Sequence, residues 1–186
     1  MKCTRVLTVL LSLAVVYVAF PPNSKGDEWN KKTKVTINAP IEVPGLNRPL
    51  VLDPGTYLFK LMDSTANQNV VEIWNKDRTK LITTILAFPD YRVKTPSHTI
   101  IQFEERTADA PEALKDWFYP GDNFGWEFVY PRVRAIEIAK ANHENVLSTR
   151  ETSREPHRLR GAHVTAVTPE GADTGVETAA NPKPSQ

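Results

Sequence analysis

The sequence predicts a mainly β fold: an antiparallel β-sandwich or barrel-like sheet with two short helices near its C-terminal end. Three observations carry this expectation. Residues 33–105 alternate apolar and polar side chains in short runs. Proline, glycine and asparagine punctuate those runs at intervals of roughly ten residues, the spacing of a sandwich or barrel. A helical period enters only after residue 108.

Taken in order, Lys34-Val35-Thr36-Ile37 alternates and stops at Asn38-Ala39-Pro40. Ile41-Glu42-Val43 alternates again and stops at Pro44-Gly45. Leu50-Val51-Leu52 runs into Asp53-Pro54-Gly55, where proline presets one turn residue and glycine supplies the positive φ of a type II turn. Thr56–Met62 follows, with Tyr57, Phe59 and Leu61 on one face. Val70–Trp74 is a further strand. Leu81–Phe88 is apolar on both faces, the pattern of a strand covered on two sides, and Pro89-Asp90 is expected to end it. Thr99–Phe103 alternates once more. Asp109–Phe118 reads as a short helix, with Asp109 as cap, Pro111 in the first turn and Glu112 three residues after the cap. Pro120-Gly121-Asp122-Asn123 is a turn, and Phe124–Tyr130 alternates as a strand. Pro131 opens a second helix over 132–143, with Val133, Ile136 and Ala139 at helical spacing.

Two ends flank this domain. Met1–Arg5 is short and basic, Val6–Phe20 has no charge, and Pro21-Pro22 stops the run. That order is a secretory signal peptide over 1–20, followed by a linker over 21–30. The run is short for a spanning helix, so a membrane enters only if this segment stays uncleaved as an N-terminal anchor. Export to the periplasm or the outside is the expected destination. Cys3, the single cysteine, lies in the basic start, so a cleaved chain is cysteine-free and its fold rests on its core alone. The globular domain is expected over 31–143. The 42 residues from Asn145 on contain no aromatic residue and no isoleucine, so 144–186 reads as a disordered tail.

Composition narrows function mainly by exclusion. The whole chain carries a net charge of +1, and without its first twenty residues 21 basic groups face 22 acidic ones. Nucleic-acid binding needs a clustered basic excess, so none is expected. His98, His143, His157 and His163 have no metal-ligand spacing, and no metal or cofactor is implied. No nucleophile elbow or phosphate loop occurs. Seven of the sixteen aromatic residues fall in Trp117–Tyr130. On one strand, Phe124, Trp126, Phe128 and Tyr130 would share a face, either as the domain's own core or as a stacking platform for sugar rings. The candidate ligand-binding residues are therefore Trp117, Tyr119, Asp122, Asn123 and Trp126. Glu104 and Glu105 are adjacent and point to opposite faces of a strand. Glu127, Asp122, Glu105 and Asp109 could form an acid/base pair only by tertiary convergence.

Asp27–Thr33, Pro54-Gly55-Thr56-Tyr57 and Trp117–Pro131 together resemble uncharacterised small secreted β-rich proteins common in acidobacterial genomes. The resemblance covers about residues 27–141 and implies export and a β-rich domain, with no activity. The stretch from Ile41 to Tyr57 is similar to a hairpin of another uncharacterised bacterial secreted β-sandwich family. The expected function is thus that of an exported, non-enzymatic β-domain that binds an envelope protein or an extracellular glycan. A carbohydrate-binding module built on residues 117–130 and a carboxylate-dependent hydrolase are the alternatives.

Overall fold

The computed structural model describes residues 31–46, 49–62, 69–104 and 110–176. The expected signal segment and linker, Glu105 and Asp109 lie outside them. The described strands are β1 (Lys32–Ile37), β2 (Ile41–Val43), β3 (Leu50–Leu52), β4 (Gly55–Leu61), β5 (Val70–Asn75), β6 (Leu81–Tyr91), β7 (Ile100–Glu104), β8 (Glu112–Phe118), β9 (Phe124–Phe128) and β10 (Tyr130–Pro131). After them come helix α1 (Arg132–Asn142), β11 (Val146–Thr149), helix α2 (Pro156–Arg160), β12 (Val164–Val167) and β13 (Asp173–Thr174). The protein is mainly β, and its sheets are arranged like a sandwich.

The large sheet runs β1-β4-β5-β6-β9-β8-β2-β3, with β7 also on β8. All its pairings are antiparallel except that of β2 with β8. β6 joins its two halves: residues 81–86 pair with β5 and 87–91 with β9. Its alternation buries Ile85 and Ala87 in one cluster and Leu86 in another, so the strand is covered on both faces as its sequence predicts. Pro89 does not end it. That half of β6 pairs β9 along one edge, and a residue without an N–H is accommodated there. The main core gathers Val35, Phe59, Leu61, Ile73, Trp117, Trp126 and Phe128, among others, between the sheet halves.

The second sheet runs β10-β11-β12-β13. β10 and β11 are parallel and α1 connects them, so they form a βαβ unit. The helix covers one face through Ala135, Ile138 and Ala139, which pack with Ala113, Tyr130, Val146 and Val167. The other face sets Leu147 and Ala166, with Leu159 of α2, against Val70, Leu86 and Val129.

Four expectations are corrected. Residues 112–118 form a strand, not a helix: β8 is laddered to β7 on one edge and to β2 and β9 on the other, and that pairing outweighs local capping signals. The supposed tail is structured through Val176, because a few small side chains (Val146, Leu147, Leu159, Ala166, Val167) find preformed apolar faces to cover. Gly55 starts β4 opposite Ile37 and has no positive φ; among the described residues the left-handed glycines are Gly171 and Gly121, the latter at φ 87° after Pro120, where Asp122 N donates to Tyr119 O. Finally, the strand from Phe124 breaks at Val129, so Tyr130 leaves the aromatic row and packs under α1.

Candidate functional site

The predicted aromatic platform is mostly core. Trp117 is 0% and Trp126 1% exposed. They pair across β8 and β9 with ring centroids 5.2 Å apart, and Phe59 stands edge-on to Trp117 and to Phe128. A sugar cannot stack on rings that water does not reach. The Tyr130 hydroxyl donates to Leu114 O at 2.9 Å. Of the five candidate residues, Tyr119 is half-buried, Asn123 is exposed, and Asp122 forms an ion pair with Lys31. Lys31 Nζ also lies 5.1–5.9 Å from the ring centroids of Tyr119, Phe124 and Trp126.

The carboxylates converge differently from the expectation. Glu127 does not meet Asp122 in the ladder; it stands opposite Asp116 across β8 and β9. Asp116 is 4% and Glu127 8% exposed. Burial, then the charges of Glu127 and Asp90, push the Asp116 carboxyl up to about 8. Burial pushes Glu127 up to about 7, with Lys115 opposing and Asp90 and Glu104 adding to the rise. Asp116 Oδ1 has no hydrogen-bond partner among the described residues. Beside the pair, Lys115 Nζ bridges Glu104 Oε1 at 3.2 Å and Glu144 Oε2 at 2.9 Å, and Asn142 Nδ2 donates to Glu104 Oε2 at 2.7 Å. Burial disfavours the Lys115 ammonium, but Glu104 and Glu144 outweigh it and its pKa is raised. The pair has the tuning of a proton donor without the access of one. Among the described residues no cluster of acidic, histidine or cysteine side chains could hold a metal ion.

An accessible concavity lies elsewhere, at the start of α1. A groove of about 570 Å³ opens between the first turns of α1, the β2–β3 connection and the stretch after β11. Leu46, Pro49, Pro131, Val133 and Ile136 give it apolar walls; Arg132, Arg134, Arg150, Glu137 and Glu151 stand among them. The helix begins at Pro131, which presets φ but offers no capping side chain, and its first turn holds no acidic residue. The carboxylates near this helix end, Glu137 and Glu151 in the groove lining and Asp173 paired with Arg132, come from outside the first turn. Arg134 is held by buried Glu42, from Nε to Oε1 at 2.6 Å and from Nη2 to Oε2 at 2.5 Å, and also pairs with Glu137. These bonds, that to Glu42 foremost, hold its guanidinium more firmly protonated against the cost of burial. Arg132 Nη2 donates to Gly171 O and pairs with Asp173, both at 3.2 Å, whereas its buried Nη1 has no hydrogen-bond partner.

None of these groove residues follows from sequence spacing. Val133, Ile136 and Ala139 suggest the buried stripe, yet the face on the sheet is Ala135, Ile138 and Ala139. Val133 is 75% exposed at the groove and Ile136 only partly covered. The available signal was the second stripe, offset by one residue, which leaves a valine and an isoleucine for another surface. No protein-family model, no curated protein and no solved structure matches the chain.

Proposed function

We propose that the protein is a non-catalytic binding domain whose ligand is an amphipathic organic anion, seated in the groove at the start of α1. The observation that carries this reading is the groove's combination of size, apolar walls and an exposed arginine, Arg150, among them. Its volume lies in the range of small-molecule sites, which are apolar with a few placed polar groups. At its rim Val133 is 75% exposed and extends the apolar wall, and Arg150 keeps most of its side chain in water beside it. A carboxylate at Arg150, with an aliphatic body along Leu46, Val133 and Ile136, would pair with that cation and cover the apolar wall. The signal-like N-terminal sequence agrees with an exported protein of this kind, meeting its ligand outside the cell.

A hydrolase is disfavoured by the burial of Asp116 and Glu127, and a sugar platform by the burial of Trp117 and Trp126. The test uses decanoate as probe. Amide shifts on titration should map to residues 45–46, 132–137 and 149–152, and Val133→Trp, which sets a bulky ring at the rim, should abolish them. Equal binding of dodecyltrimethylammonium, or shifts that survive Val133→Trp in a folded protein, would remove the reading.

A further inference from the structure

We infer a second site: an aromatic cage for an alkylammonium group, which the chain fills with its own Lys31. Lys31 is 8% exposed, and its Nζ sits 5.1 Å from the Trp126 ring centroid, 5.7 Å from Phe124 and 5.9 Å from Tyr119, with Asp122 Oδ2 as its ion-pair partner. Three ring faces and one carboxylate are the chemistry that recognises ammonium groups, because the negative faces attract the cation and the apolar walls exclude water.

The walls do not depend on the lysine. All four cage residues come from one segment, Tyr119–Trp126, which is the β8–β9 hairpin. Trp126 is anchored in the core against Trp117, and Phe124 is edge-on to Trp126 at 5.0 Å. The Pro120-Gly121 turn carries Asp122 and is tied by Gly121 N to Pro96 O at 2.9 Å. Lys31 arrives from a different element. Its carbonyl accepts from Leu61 N at 2.8 Å, at the head of β1, which among the described residues is an end strand paired with β4. A preformed receptor and a tethered occupant are thus separate parts of the molecule.

Tethering explains why such a site would stay silent in the intact chain. A linked group competes at an effective concentration of about millimolar or higher. A free alkylammonium held by cation–π contacts and one partly exposed ion pair should bind with a Kd on the order of millimolar. It therefore displaces Lys31 only when concentrated. The site belongs to ligands presenting a lysine-like or methylated ammonium, and their binding frees the head of β1.

The test uses the full chain at constant ionic strength. Lys31→Met keeps the apolar stem and removes the charge. It should bind n-butylammonium saturably in the millimolar range, with a change in tryptophan emission and a rise in Tm, whereas n-butanol should do neither. Adding Asp122→Asn should weaken that binding about tenfold. A folded Lys31→Met that gives no saturable response overturns the inference. If Lys31→Met does not fold, the wild-type chain decides. Lys31 should resist reductive methylation, and tetramethylammonium should speed its modification several-fold relative to sodium; an unchanged rate overturns the inference.

Discussion

Replacing Asp116 with Asn should remove much of the protein's loss of stability with rising pH. Asp116 faces Glu127 across β8 and β9, and burial raises its folded pKa to about 8 from the 3.8 of a free aspartate side chain. Between those values the folded chain holds a proton that the unfolded chain has released. Stability from this group is therefore complete below about 3.8 and lost as pH climbs to about 8. One pH unit within that window corresponds to about 1.4 kcal/mol, so the site changes stability by about 3 kcal/mol from pH 5 to pH 7. Glu127, raised to about 7, adds a slope of the same sign, and the two titrate as a pair. Asparagine has the same shape and no titration. The stability of Asp116→Asn minus that of wild type should rise by about 2 to 3 kcal/mol over this interval. Urea unfolding followed by tryptophan emission at pH 5, 6 and 7 measures it. A difference that stays constant within about 0.5 kcal/mol would refute the assignment of a buried, proton-holding carboxyl.

Further outcomes follow from the packing. Arg134→Ala leaves Glu42 buried without its bidentate partner and should cost about 3 to 5 kcal/mol in urea unfolding, with Glu42→Gln/Arg134→Met recovering most of it. Gly125→Ala would press a methyl into the Phe118 ring and to 2.7 Å from Trp117 O, so it should destabilise by about 1 to 3 kcal/mol. Iodide should leave Trp117 and Trp126 unquenched in variants that retain only one of them; strong quenching would mean that the aromatic row is not core. Truncation after Asn145 should uncover Val70, Leu86 and Val129, which a rise in 1-anilinonaphthalene-8-sulfonate fluorescence would report.

The β character was legible because it rests on alternation, which the sheet uses directly. Phe59 and Leu61 go inward and β6 is covered twice, as their patterns require. What failed were local signals that pairing overrides. Pro111 and Glu112 imitate a helix start, but Glu112 and Ala113 lie in register with Ile41 and Glu42 of a strand about seventy residues earlier, and a single sequence does not display that partner. The C-terminal strands escaped notice for a different reason. Ala166 and Val167 are small, and they are buried because α1 and β5–β6 supply the surface around them. A composition count measures what a segment brings, not what awaits it. The five candidate binding residues illustrate the same limit: Trp117 and Trp126 belong to the core, and the groove arises from three segments that only the fold assembles.

The buried charges make most sense as locators of α1. Glu42 on β2 grips Arg134 in the helix's first turn, and Glu104 on β7 receives Asn142 at its last. Both carboxylates are almost wholly buried, and both stand on the large sheet. Buried ion pairs of this kind roughly break even in stability against apolar packing, so their presence is poorly explained as glue. Their geometry is more telling. Ala135, Ile138 and Ala139 offer a smooth face of small side chains that packs comparably at several positions along a sheet, whereas two directional carboxylate contacts fix one position. With the helix fixed, Val133 and Ile136 cannot rotate onto the sheet, and they remain as one wall of the groove. The apolar surface left in water is thus a consequence of where the buried charges hold the helix.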